Sequence, residues 1–389
     1  MNKLVLLLIM FCLLVVDISQ IAGAQHNITN AINLDAGLSN WRDALASANS
    51  TIISVNCIGD SITAGTGVGN SISNFITLSW PGRLRTLLAA RYGDVGQGLI
   101  PVWYHDDSTS KLASLSAGWA NEPLTGFFGS RVTQTANASI SIPFTGTGVR
   151  LYYLQSSSTG GPFTVTIDGG TEIEYSSLGT PSKPITHLDF AGLTSGKHTI
   201  AIKYVGDAYH ELIVHGIMEL NDATNGIRIN NIGKPGSFSV AFSNVDFRNA
   251  LVDPVPASLS IICMGQNDCT LQIPVATYKA NMQLMITKAK TTGDCLLVVW
   301  NNLDSTLKIP WSQYVTAMHE LASENNIALL DIDARWTGSE YNSDNHHPNV
   351  SGHDDMAKAV LDVLLYEPEP HWFLAALGKI GSRFNNIIS

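Results

Sequence analysis

The stretch Cys57–Gly67, CIGDSITAGTG, decides how this chain is read. It follows TIISVN (51–56), a β-branched run that predicts a buried strand. A Gly-Asp-Ser at the carboxyl end of such a strand, on the way into a helix, lies where ligands bind in open α/β sheets. Gly59 permits a sharp turn, Asp60 follows it, and Ser61 then presents its hydroxyl to the crevice with its own N–H near a helix N-terminus. A Ser so placed suits a nucleophile, because that N–H can bind an oxyanion. Taken alone, the tripeptide fits a helix-capping Ser equally well, so the rest of the chain has to decide.

Four further apolar runs, IRINNI, SLSIICMG, CLLVVWNN and IALLDID, predict strands. Helical periodicity separates them, through Leu84, Leu87, Leu88 and Arg91, through Tyr278, Met282, Met285 and Ile286, and through Tyr314, Met318 and Leu321. Strands apolar on both faces, alternating with helices, indicate a parallel sheet covered on each side. Between 105 and 224 the pattern changes to short alternating runs, ASISIPF, GVRLYYL, FTVTIDGG, EIEYSSL, KHTIAIKYV and ELIVHGIMEL, punctuated by Gly, Ser, Pro and Asn. This predicts an all-β sandwich inserted into the α/β domain. Leaving the α/β domain between its first and second strands, the insert is expected to emerge near the edge that carries Ser61.

The ends and the composition bound the setting. Lys3, the apolar run Leu4–Val16 and the small-residue site Ala22-Gly23-Ala24 have the layout of a secretory signal peptide over 1–24. That run is shorter than the roughly 20 residues a spanning helix needs. The expected location is therefore secreted or periplasmic, with no transmembrane span after cleavage. Charged residues make up only 14% of the 389, and the net charge is −10, which argues against nucleic acid as a partner. Cys57, Cys263, Cys269 and Cys295 remain beyond the signal peptide. Cys57 and Cys263 read as packed thiols. Cys269 and Cys295 are expected on opposite edges of the sheet, too far apart for a bridge. Over 367–389, Phe373, Leu377, Ile380, Phe384 and Ile387 form an apolar helical stripe. It packs on the main domain or makes a weak membrane or dimer contact.

The carboxyl-terminal stretch SDNHHPNVSGHDD (343–355) supplies partners for Ser61. Asp344 and His347 are three apart, so one turn of chain brings a carboxylate to an imidazole, the second half of a Ser-His-Asp relay. His346 is out of phase with Asp344 and His353 falls in the following helix, so neither is expected in the relay. The spacing lacks the H-x-x-x-H of a helical metal site, and no metal is expected. MGQND (264–268) follows a strand, which puts Asn267 at the same edge with an amide to donate and Gly265 beside it. NNIGKPGSFS (230–239) supplies Gly233 and Gly236, either of which can present a backbone N–H.

With these residues together, the chain resembles the GDSL/SGNH hydrolase superfamily, whose four blocks contribute Ser, Gly, Asn and His. GDSITAG, GQND and DNHHPNVSGH match the first, third and last blocks; GKPGS is a looser match to the second. The resemblance implies a flavodoxin-like three-layer α/β/α hydrolase domain with a parallel sheet, formed by 25–104 and 225–366 and interrupted by the jelly-roll insert 105–224. It implies ester hydrolysis with no metal or other cofactor. Carried over, Ser61 is the nucleophile, His347 the base and Asp344 its orienter. The Ser61 N–H, Gly236 and Asn267 are the oxyanion donors, with Gly59, Asp60 and Gly265 in support. The insert resembles modules that accompany carbohydrate esterases, with Tyr152, Tyr153, Tyr175 and Tyr204 as candidate sugar-stacking rings. The expected activity is removal of short acyl groups, above all O-acetyl, from a polysaccharide. A lipid esterase, lysophospholipase or thioesterase, and a non-catalytic carbohydrate-binding or adhesion protein, are the alternatives.

Overall fold

The structure is a computed structural model. It describes residues 28–69, 72–102, 114–122, 130–180, 185–304, 306–336 and 338–368. The expected signal peptide, 1–24, and the apolar stripe of the tail lie outside the described residues. No helix among the described residues is long and apolar enough to cross a membrane.

The strands run in chain order as β1 (Ala31–Ile32), β2 (Ile52–Gly59), β3 (Leu99–Pro101), β4 (Ser114–Leu115), β5 (Ala120–Glu122), β6 (Ser130–Thr133), β7 (Ser139–Leu154), β8 (Pro162–Ile167), β9 (Ile173–Ser176), β10 (Ile185–Tyr204), β11 (Leu212–Leu220), β12 (Gly226–Gly233), β13 (Leu259–Cys263), β14 (Asp294–Val299) and β15 (Ala328–Asp331). The first sheet has the order β1-β15-β14-β13-β2-β12. Its five longer strands are parallel, and the two-residue β1 closes the edge antiparallel to β15. Counted along the chain, those five strands lie in the order 2-1-3-4-5, the doubly wound flavodoxin-like arrangement.

Each face of this sheet is sealed by helices, as the two-sided apolar strands require. On one face Val55, Cys57, Ile227 and Ile229 meet Trp80, Leu84 and Leu88 of helix Trp80–Tyr92, with Met356 and Val360 of helix Val350–Leu364. On the other, Ile58, Ile232 and Ile262 meet Tyr278, Met282 and Met285 of helix Val275–Ala289, with Tyr314 and Met318 of helix Trp311–Asn325. All four described cysteines are free, buried thiols. Cys269 follows the carboxyl end of β13, whereas Cys295 pairs with Ser260 near that strand's start.

The second sheet is antiparallel and nine-stranded, in the order β5-β6-β11-β7-β10-β8-β9, with β3 on β11 and β4 on β7. It differs from the expected sandwich in several respects. The strands form one connected sheet, not two recognisable ones. ASISIPF and GVRLYYL are a single strand, because Gly146 and Gly148 let neighbouring backbones approach instead of turning the chain; a Cβ on Gly148 would lie 2.5 Å from Phe190 O. The sheet also takes in Leu99–Pro101, upstream of the expected boundary at 105. Tyr152, Tyr153 and Tyr204 are buried, and Tyr175 stacks on Phe163. The three buried rings pack the protein and offer no sugar platform, whereas Tyr175 is half-buried.

The insert also leaves the α/β part at the edge opposite to the one expected. Helix Trp80–Tyr92 carries the chain back to the amino edge of the parallel sheet before the insert begins. Asn225 donates to Tyr92 O at 3.2 Å and Gly226 N–H to Thr51 O at 3.2 Å, so entry and exit meet beside the start of β2. From there the antiparallel sheet lies along the edge strand β12. Leu99 N–H donates to Asn230 Oδ1 at 3.1 Å, and Asn230 donates to Asn56 Oδ1 at 2.8 Å. Tyr152 and Met218 join the core that holds Ile232 and Phe242, so the two sheets share apolar packing.

Candidate active site

β2 ends at Gly59, and the chain turns directly into the short helix Ser61–Ala64. Gly59 is required by proximity: a Cβ there would lie 2.7 Å from Thr63 Cβ and would run into Cys263 O. Asp60 caps the turn by accepting the Ile62 N–H at 3.0 Å. Burial pushes its carboxyl up to about 7, and the charge of Asp268 adds to the rise against the Ile62 hydrogen bond. The small residues that follow close the site. Gly67 adopts φ 102° and packs against the Pro348 carbonyl where no side chain fits, so the loop after Ser61 lies on the loop that carries His347.

There Ser61 Oγ is 2.8 Å from His347 Nε2, and His347 Nδ1 is 2.8 Å from Asp344 Oδ2. The other oxygen, Asp344 Oδ1, accepts the N–H groups of His346 and His347 at 2.7 Å each. Burial raises the Asp344 carboxyl, but the hydrogen bonds from His347 and from both backbone N–H groups outweigh it and hold the group below the usual carboxylate range. Ser61 is 7% exposed, shielded from bulk water yet reachable. With Nδ1–H donated to Asp344, Nε2 is free to take the Ser61 proton. His346 contributes its backbone, accepting Trp300 Nε1–H at 3.0 Å through its carbonyl.

The neighbouring strand ends bring the remaining expected residues toward this point. Asn267 is the second residue of helix Gln266–Thr270 after β13, and its amide donates to Ser237 O at 2.8 Å. Asp268 holds the same loop two residues on, accepting Ser239 Oγ at 2.5 Å and Ser239 N–H at 3.0 Å. The loop between these anchors contains Gly236, exposed, at φ 76° and with open space where a side chain would sit. Gly233 is buried, and its N–H is given to Asn231 Oδ1 at 3.0 Å. Among the described residues the Gly233 N–H is therefore already used, whereas no hydrogen bond occupies that of Gly236. Gly265 lies under Tyr278, whose hydroxyl donates to Met264 O at 3.0 Å.

Sequence reasoning passed over His353. It lies in a helix as expected, but it is fully buried and bridges two segments. Its Nδ1 accepts the Trp80 N–H at 3.1 Å, and its Nε2 donates to Thr66 O at 3.1 Å. Burial pulls its pKa down to about 4, so the ring is neutral near pH 7. The signal was a polar residue on the apolar stripe of Met356, Ala357 and Val360. Among the described residues no group of three or more His, Cys, Asp or Glu side chains is placed to hold a metal.

A hydrogen-bonded Ser, His and Asp at the carboxyl edge of a doubly wound α/β fold, beside β2 and β13 where the strand order reverses, is an arrangement that can carry out acyl transfer. The GDSL-like lipase/acylhydrolase family model matches residues 206–354. That span takes in Gly236, Asn267, Asp344 and His347, whereas Ser61 precedes it on the other side of the antiparallel sheet. The match covers less than half of the chain; over that span the α/β part is similar to GDSL-like acylhydrolases, which supports a carboxylic ester hydrolase. Among solved structures, a peptidoglycan O-acetylesterase is 15% identical with a TM-score of 0.64, over 85% of this chain and 96% of its own. A family 2 carbohydrate esterase from Corynascus thermopiles (Myceliophthora fergusii) is 15% identical over 65% of this chain and 98% of its own, with a TM-score of 0.30. An acetylxylan esterase from Geobacillus stearothermophilus is 21% identical over 36% and 74%, with a TM-score of 0.32. No curated protein matches the sequence.

Proposed function

We propose that the protein is a secreted or periplasmic serine esterase that removes short acyl groups, chiefly O-acetyl, from a polysaccharide. The observation that carries this reading is the unbroken chain from Ser61 Oγ through His347 to Asp344. In the proposed reaction His347 Nε2 takes the Ser61 proton as Oγ attacks the ester carbonyl. The oxyanion is held by the Ser61 N–H, the Gly236 N–H and the Asn267 amide. His347 then protonates the departing sugar hydroxyl, and water, activated by the same imidazole, releases the acyl group from Ser61.

The polysaccharide substrate is supported by the likeness over most of the chain to a structure named as a peptidoglycan O-acetylesterase. Secretion is supported by the leader-like run over 1–24. Short acyl preference is supported by the cleft loops AGTGVGNS, GKPGSFS and GQNDCT, which lack the run of Leu, Ile and Phe that a fatty-acyl tunnel needs.

Ser61→Ala should remove at least about three orders of magnitude of p-nitrophenyl acetate turnover and abolish fluorophosphonate labelling. Wild-type turnover in that variant would sink the assignment, and a folded wild-type protein that never labels would favour a glycan-binding protein with a retired site. For acyl size, kcat/KM across p-nitrophenyl acetate to decanoate should fall beyond butyrate. An apolar tunnel would gain about 0.8 kcal/mol per buried methylene, so a rise through octanoate would point to a lipid esterase.

A further inference from the structure

The two sheets meet along β12, and their junction carries charged side chains for which the esterase reading has no use. On β7 and β10, Arg150 lies opposite Asp189 and Tyr152 opposite His187, all on one face. That face is turned to the α/β part, since Tyr152 joins the core of Ile232 while Val149 and Leu151 join the antiparallel sheet's own core. Arg228 of β12 comes up against it. Its neighbours Ile227 and Ile229 point into the opposite core with Leu84 and Leu88. Arg228 therefore faces Tyr152 and the charged Arg150, its electrostatic neighbours.

The charges do not balance. Asp189 is committed to Arg150, accepting from Nε at 2.6 Å and from an Nη at 2.7 Å. His187 rests on Tyr152 with ring centroids 5.9 Å apart, and its other side is open to solvent. Among the described residues no carboxylate pairs with Arg228; its Nε is buried without a hydrogen-bond partner among them, and burial lowers its pKa. A partly buried guanidinium without a counter-charge is costly. An anion that enters and pairs with it relieves that cost, and the planar fork of Arg fits a carboxylate through two parallel bonds.

We propose that this junction binds a carboxylate carried on a glycan chain, with Arg228 as the anchor and Arg150 and His187 at its flanks. The polymer is drawn from the polysaccharide reading above; the site adds that the chain is acidic. A protein of net charge −10 repels an acidic polymer, so a local cation is what such a chain needs to dock. In register, Arg228 pairs with Ser54 and Gly233 with Gly59. Arg228 is thus roughly 17 Å along the strand from the end that carries Ser61, a span for an oligosaccharide and not for a single sugar.

Calorimetric titration of the full chain with oligogalacturonate at low salt tests the site. The expected result is binding that weakens as salt rises, and neutral dextran should not bind. Arg228→Gln should lower the affinity about tenfold or more, with p-nitrophenyl acetate turnover unchanged as the check on folding. His187→Glu, at an exposed position, supplies a competing carboxylate and should also weaken binding, which keeps the test decisive should Arg228→Gln fold poorly. Absence of binding to the wild type, equal binding of dextran, or unaltered affinity in both variants would overturn the site. Because Ser61→Ala should bind as the wild type does, an inactive enzyme that still binds would fail the esterase reading alone.

Discussion

At the scale of single residues, Asp60 and Asn267 carry the sharpest tests. The Asp60 carboxyl is raised to about 7 by burial, with Asp268 adding to it. A carboxyl raised in the folded state stabilises the fold below its unfolded value near 4, and that contribution is lost as pH rises toward 7. Asp60→Asn keeps an oxygen for the Ile62 N–H but never ionises. Its melting temperature relative to wild type should therefore climb between pH 4 and 7 and level off above. A difference that is flat across that range would refute the buried acid. Asn267→Ala should lower kcat about a hundredfold if the amide meets the oxyanion. Its stability cost should be only about 1 kcal/mol, that of the bond to Ser237 O. A large loss of stability with turnover intact would make Asn267 a structural tie. Ser61, Asn267 and His347 were legible because each lies in a short motif at a strand's end. Gly236 was not separable from Gly233, since only the observed turn shows which N–H is already used.

At the scale of elements, helix Val350–Leu364 does more than cover the sheet. It starts directly after His347, with Asn349 as its cap accepting the Gly352 N–H at 2.9 Å. One turn on, His353 ties Thr66, in the loop after Ser61, to Trp80 at the start of the next helix. The segments bearing Ser61 and His347 are thus fastened by one neutral imidazole. His353→Phe keeps the ring volume and drops both bonds, and should cost about 1–3 kcal/mol, chiefly because the buried Trp80 N–H loses its partner. The pKa of about 4 sets the direction with pH. A histidine depressed on folding stabilises above its unfolded value near 6.5, and that contribution is lost as pH falls toward 4. Wild-type melting should fall over that window more steeply than that of His353→Phe; equal slopes would sink the account. The sequence showed a helix here, while what its histidine grips depends on segments far apart in the chain.

At the scale of the whole molecule, the antiparallel sheet is not a detachable appendage. Tyr152 and Met218 are buried with Ile232 and Phe242, and Ala64, at the end of the Ser61 turn, packs with Ile100 and Val102. Burying each large apolar side chain is worth about 1.5–3 kcal/mol. Deleting 105–224 should therefore leave an α/β part that does not fold. A soluble fragment with a cooperative unfolding transition and wild-type p-nitrophenyl acetate turnover would show the opposite. The bare pattern of short strands could not reveal this sharing, because a strand's alternation shows that one face is covered but not by what.

The sequence by itself determined the class of fold and the four strand-end motifs. Apolar periodicity and turn chemistry act over a few residues, and each motif is a local stretch of chain. The tertiary structure alone decided where the insert leaves, that its strands form one sheet, that Arg228 stands without a counter-ion among the described residues and that His353 is a clasp. These depend on which surfaces meet. The insert leaves at the amino edge because helix Trp80–Tyr92 first returns the chain there. Arg228 has no ion pair among the described residues, while Asp189 on the facing sheet is held by Arg150. Both follow from contacts between residues distant in sequence, where local propensity is silent.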